Sequence, residues 1–207
     1  MGTNFNHTKT FILDDDTYII STANLSYTSM RKNREYRFVG HNAAIVQSLQ
    51  MIFAKDWKGI PLFKKDIHPN LLVCPVDCRE KLMSYILSAD KSLVIATQYI
   101  QDEELISLLQ DKAKYIPISI IVSDNQEPGW LENFGTGVKY LGEPYLHAKN
   151  ILIDDKALII GSMNLSSNAM DHNREISIAI TDSSAIRDFK KQFTKDRDIA
   201  QTSHSQP

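Results

Sequence analysis

Five polar side chains occur in one order and then occur again. His7, Lys9, Asp14, Asn24 and Glu35 return 140 residues later as His147, Lys149, Asp154, Asn164 and Glu175. The segments HTKTFILDDDTYIISTANLSYTSMRKNRE and HAKNILIDDKALIIGSMNLSSNAMDHNRE align without a gap, and polar identity outlasts apolar identity. Packing fixes apolar positions most tightly, so a purely structural repeat would show the opposite bias. The residue types suit an oxyanion: an ammonium (Lys9, Lys149) supplies charge, while an amide (Asn24, Asn164) and a hydroxyl (Thr22, Ser162) can bond its nonbridging oxygens. Glu35 and Glu175 can accept from a histidine Nδ1 and turn Nε2 outward. Two half-sites supply what one cannot, a neutral histidine to attack phosphorus and a protonated one for the leaving oxygen. An ordinary imidazole pKa of ~6.5 makes both forms accessible near neutrality. The chemistry expected is cleavage or exchange of a phosphodiester, with lysine and asparagine taking the electrostatic part that metals play in other phosphodiesterases. No metal site and no cofactor are read.

The elements that must position these groups follow from the hydrophobic pattern. In each repeat two β-branched runs around an acidic turn (TKTFILD and TYIIST; KNILIDD and ALIIGS) predict a hairpin, with REYRFVG or REISIAI as a third strand. If the HxK residues lie on a strand, imidazole and ammonium share a face. NAAIVQSLQMIFAKDW and SAIRDFKKQFTKDRDIA close the repeats with helices. Between them WKGIPLFKKDIHPN reads as a linker, and from Leu71 strands and helices alternate in the manner of a mixed α/β sheet.

Composition bounds the reading. With 207 residues, 43% hydrophobic and 23% charged, the chain is long enough for a substantial core. A formal charge of -2 removes the global basic excess of general nucleic-acid binders, so a polyanion must be held locally. Cys74 and Cys78 lack further metal ligands nearby and are expected to be reduced thiols. No run approaches the ~18 apolar residues of a membrane span, which predicts a cytoplasmic chain or one peripheral to a membrane. His41, His68, His172 and His204 have no repeat partner and are expected at surfaces or in loops. Trp130 is expected to pack its own loop. Arg34 and Arg174 adjoin the glutamates on the opposite strand face, where a structural salt bridge is expected.

HTKTFILD with STAN, and HAKNILID with GSMN, resemble the paired HxKxxxxD motifs of the phospholipase D superfamily. The resemblance covers about residues 1–57 and 68–200, without the upstream part of the first domain that such proteins have. It implies a phosphohistidine on one motif histidine, preferentially His7, general-acid action by the other, no metal, and bracing roles for Asp14 and Asp154. The implied α/β fold has two related lobes, each a mixed sheet flanked by helices, about a pseudo-two-fold axis. Residues 1–57 form the C-terminal part of a first domain, 58–70 a linker, 71–200 a complete second domain and 201–207 a disordered tail. The incomplete first lobe should expose apolar sheet edge. The expected substrate is a phosphodiester of a phospholipid, hydrolysed or exchanged. A nuclease of the same superfamily is the alternative, and a noncatalytic phosphate-binding remnant a third reading. A homodimer is the alternative assembly, as in relatives with one motif.

Overall fold

The structure is a computed structural model and describes residues 5–202. The first repeat comprises β1 (Phe5–Asn6), β2 (Thr10–Leu13), β3 (Thr17–Ser21), α1 (Tyr27–Arg31), β4 (Asn33–Arg34), β5 (Arg37–His41) and α2 (Ala43–Trp57). The second half comprises β6 (Leu71–Cys74), α3 (Cys78–Leu87), β7 (Leu93–Thr97), α4 (Glu103–Lys112), β8 (Ile118–Ser123), β9 (Val138–Leu141), β10 (Tyr145–Leu146), β11 (Lys149–Ile153), β12 (Ala157–Gly161), α5 (Ser167–Asp171), β13 (Asn173–Ile180) and α6 (Ser183–Ile199). The expected mixed α/β architecture is therefore present, with a hairpin and a closing helix in each repeat.

Local chemistry explains the boundaries. Asp14 and Asp154 take φ of 55° and 53° at the hairpin turns, a left-handed conformation that aspartate tolerates better than most side chains. Asn42 and Asp182 cap α2 and α6 by accepting amide protons of the first turn, each cap contributing about 1 kcal/mol. Ser26 and Ser166 cap α1 and α5 in the same way, again 140 residues apart. At five residues each, these helices are too short to declare a period, and the sequence reading passed over them.

The large sheet runs β1-β13-β12-β11-β7-β8-β9, with β6 also pairing β13, and the first repeat adds a three-stranded sheet, β2-β3-β5. A buried cluster joins the two: Tyr18, Ile20, Ile45 and Leu49 of the first repeat pack with Leu71, Leu152, Ile178 and Phe189 of the second half. The first repeat lacks, among the described residues, counterparts of β6 to β9, α3 and α4. One face of its sheet is consequently bare. Leu25 is 78% exposed where its counterpart Leu165 is 1% exposed, and Leu13, Met30 and Val39 are likewise exposed where Ile153, Met170 and Ala179 are buried. Apolar surface is thus exposed on a face of the sheet, where the expectation had placed it along an edge.

Three expectations are corrected. Cys74 and Cys78 form a disulfide, because the turn at 75–77 brings their Cα atoms to 5.0 Å, within bridging range. The 201–207 tail is ordered at its start, where Gln201 exchanges backbone hydrogen bonds with Tyr140. Residues 203–207, His204 among them, lie outside the described residues. The third correction concerns the HxK segments. His7 and His147 fall between strands, where the chain leaves β1 for β2 and β10 for β11. Each crosses there from a two-residue pairing with the other repeat into its own hairpin.

Candidate active site

Those two short pairings build the site. β1 runs parallel to the start of β13, Phe5 opposite Asn173 and Asn6 opposite Arg174; β10 runs parallel to β4, Tyr145 opposite Asn33 and Leu146 opposite Arg34. The next amide in each case is that of the motif histidine: His7 N–H donates to Arg174 O at 2.9 Å and His147 N–H to Arg34 O at 3.1 Å. The residue after each arginine is a glutamate, and it meets the histidine so held. His7 Nδ1 lies 2.8 Å from Glu175 Oε1, and His147 Nδ1 lies 2.8 Å from Glu35 Oε1. The carboxylate that meets each motif histidine therefore comes from the other repeat. Both glutamates are buried while the histidines reach the surface, so each imidazole is held from behind with Nε2 directed outward.

The lysines stand beside them. Lys9 Nζ donates to His7 O and Lys149 Nζ to His147 O, and both side chains are buried. Burial pushes Lys149 down to about 7 and Lys9 down to about 8, with Glu35 and Glu175 opposing the shift. Glu35 is itself pushed up by burial, yet hydrogen bonds from His147 and Thr22 outweigh this and hold it below the usual carboxylate value. Near pH 8 the two lysines have thus lost part of their charge, and an entering oxyanion restores it. Binding of tungstate, whose charge is constant between pH 6 and 8, should take up about one proton at pH 8 and less at pH 6. Calorimetry in buffers of different ionisation enthalpy measures this; an observed enthalpy independent of buffer at pH 8 would contradict the lowered lysines.

Other predicted residues divide. Asn164 hydrogen-bonds Tyr99 and its Oδ1 is buried without a partner among the described residues, whereas Asn24 is exposed. Thr22 and Ser162 do not present free hydroxyls to a substrate, a correction to the expectation: both are fully buried. Thr22 Oγ1 donates to Glu35 at 2.6 Å and accepts from Tyr36 N–H, and Ser162 Oγ accepts from Ile176 N–H. Asp154 accepts from the amides of Asp90, Lys91 and Ser92, which outweigh burial and hold its carboxyl low; Asp14 sits exposed at the equivalent turn. Tyr99, Gln98 and Tyr145 were not anticipated. Gln98 Nε2 donates to Tyr145 Oη at 2.8 Å, and burial together with Glu175 raises the Tyr99 phenol. They lie outside the repeated segments, or differ between them, as Tyr145 does from Phe5, so no repetition pointed to them. His41 ends β5 beside Thr17, His68 lies in the loop before β6 and His172 follows the last residue of α5, while Trp130 packs edge-on against Phe134. No group of three His, Cys, Asp or Glu side chains is placed to hold a metal ion among the described residues.

Beyond the motif's residue types, residues 1–57 and 82–197 match the protein family described as "Cardiolipin synthase, PLD-like domain". The chain belongs to this family, within the phospholipase D superfamily. Cardiolipin synthase 1 of Bacillus anthracis is 31% identical over 131 residues, covering 57% of this chain and 26% of that protein. The probable cardiolipin synthase YwiE of Bacillus subtilis is 24% identical over 232 residues, 92% of this chain and 45% of its own length. The chain thus spans less than half the length of these curated relatives. Among solved structures, NucT from Helicobacter pylori matches with a TM-score of 0.56 at 26% identity, over 63% of this chain and 95% of that one. Phosphatidylserine synthase of Haemophilus influenzae shares the fold with a TM-score of 0.71 at 16% identity, over 96% of this chain and 63% of that one. In this family member, no helix among the described residues is long and apolar enough to cross a membrane.

Proposed function

We propose that the chain transfers or hydrolyses a phospholipid phosphodiester through a phosphohistidine. The observation that carries this reading is the reciprocal pair, two histidines each held at Nδ1 by a buried carboxylate of the other repeat. In the first step the neutral imidazole Nε2 of one histidine forms a bond to phosphorus as the bond to the leaving alkoxide breaks. The second histidine, protonated, gives its proton to that oxygen. In the second step the same residue takes a proton from water or an alcohol, whose oxygen displaces the imidazole. No proton is gained or lost over the cycle. Lys9 and Lys149 neutralise the equatorial oxygens, and His7 is the favoured nucleophile by family resemblance. Asp14 and Asp154 brace the hairpins, and Thr22 and Ser162 brace the strands behind the glutamates.

The names of the curated relatives, cardiolipin synthases, support a phospholipid substrate. A net charge of -2 supports it over an extended polyanion. Labelled phosphatidylglycerol vesicles and a labelled single-stranded oligonucleotide, each incubated with the protein in EDTA, provide the test. Release or exchange of the lipid headgroup is expected. Cleavage of the oligonucleotide alone would replace the lipid by a nucleic acid; turnover of neither, with tungstate still bound, would reduce the site to phosphate binding.

A further inference from the structure

The reciprocal contacts extend beyond the motif. Arg174 grips Asp56 through Nε and Nη2, both at 2.8 Å, and Arg34 Nε lies 2.9 Å from Asp196. Asp56 and Asp196 are themselves 140 residues apart, on α2 and α6. Each repeat therefore sends an aspartate from its closing helix to the arginine of the other. These arginines are the residues whose carbonyls hold the histidine amides, and each is followed directly by the glutamate that holds the imidazole. Arg174 is further fixed by donating to Cys74 O, while Asp196 also accepts from Gln192 and Tyr36.

We infer that Asp56 and Asp196 are positioning residues, each setting, through the arginine it grips, the glutamate that orients one histidine: Asp56 through Arg174 and Glu175 for His7, Asp196 through Arg34 and Glu35 for His147. A guanidinium that is largely buried must be matched by charge or it distorts its surroundings, and here what would distort is the strand start carrying the glutamate. The bidentate grip at Arg174 fixes direction as well as distance. The inference deepens the functional reading and rests on it for its catalytic meaning, while the geometry it describes can be tested without turnover.

The test follows the imidazole C–H signals of His7 and His147 by NMR titration in the 207-residue protein and in Asp56→Asn and Asp196→Asn. The other charges facing these histidines are Glu35, Glu175, Lys9 and Lys149. A loosened glutamate stabilises the imidazolium less. Asp56→Asn should therefore lower the His7 midpoint by about half a unit or more and leave His147 in place, and Asp196→Asn the reverse. In turnover each should reduce kcat about tenfold with KM nearly unchanged, and glutamate at either position should recover part of the loss. Should the buried Asp196→Asn fail to fold, the partly exposed Asp56 carries the test alone. Midpoints unchanged in a folded variant, or shifted equally at both histidines, would overturn the assignment. Absence of turnover in the unaltered protein would defeat the functional reading and leave the titration to decide this one.

Discussion

Replacing either His7 or His147 by Asn is expected to reduce kcat by about 10³-fold or more, and replacing both to cost little beyond the larger single loss, because groups that act as one unit are non-additive. Asn is the informative substitution: its amide can still donate to the buried glutamate, so the carboxylate is not left unpaired, while nucleophilicity and proton transfer are gone. An aryl phosphodiester separates the two roles. Its leaving group departs without an acid, so the variant that keeps the nucleophile should release one equivalent of aryl alcohol in a burst and hold an acid-labile phosphoryl group. The variant without the nucleophile should give neither. Near-full activity in His7→Asn together with its loss in His147→Asn would move the site to two copies of His147 across a homodimer.

The residue types of the half-site and the hairpins that carry them were legible because they repeat at a fixed offset in two short, strongly patterned segments. The pairing was not. A glutamate 28 residues beyond its histidine has the same spacing whether it serves its own half-site or the opposite one, and only the β1–β13 and β10–β4 pairings decide. Those pairings involve two residues each, below the length at which an alternation can be seen. Asp56 and Asp196 obey the same offset, within FAKD and FTKD, but residues 36–52 and 176–192 share no identity at that offset, so the alignment that ends at Glu35 does not run on to them. The arginine pairs themselves were anticipated from strand alternation, since a neighbour of the glutamate must point to the other face. The disulfide depends on a turn geometry that the three intervening positions do not specify.

The crossing makes a sharper demand on the glutamates. Glu175→Gln and Glu35→Gln should each lower kcat by about 10²- to 10⁴-fold, between the loss typical of a partner that orients a histidine and that of a triad carboxylate changed to an amide. Glutamine preserves volume but can offer an N–H to Nδ1, which favours the tautomer with its proton on Nε2, the nitrogen that must attack or receive a proton. Glu175 is fully buried and has no solvent to replace the lost charge, and both glutamates raise the Lys149 ammonium that burial pushes down. Either change should therefore weaken anion binding as well and raise KM. The decisive observation is which glutamine variant behaves like which asparagine variant with the aryl diester. If His147→Asn traps the phosphoryl group, Glu35→Gln should also trap it, because Glu35 serves His147, while Glu175→Gln should fail to form it, as His7→Asn does. Trapping by Glu175→Gln alongside His147→Asn would mean that each glutamate serves the histidine of its own repeat during turnover, and the reciprocal arrangement would not be the working one.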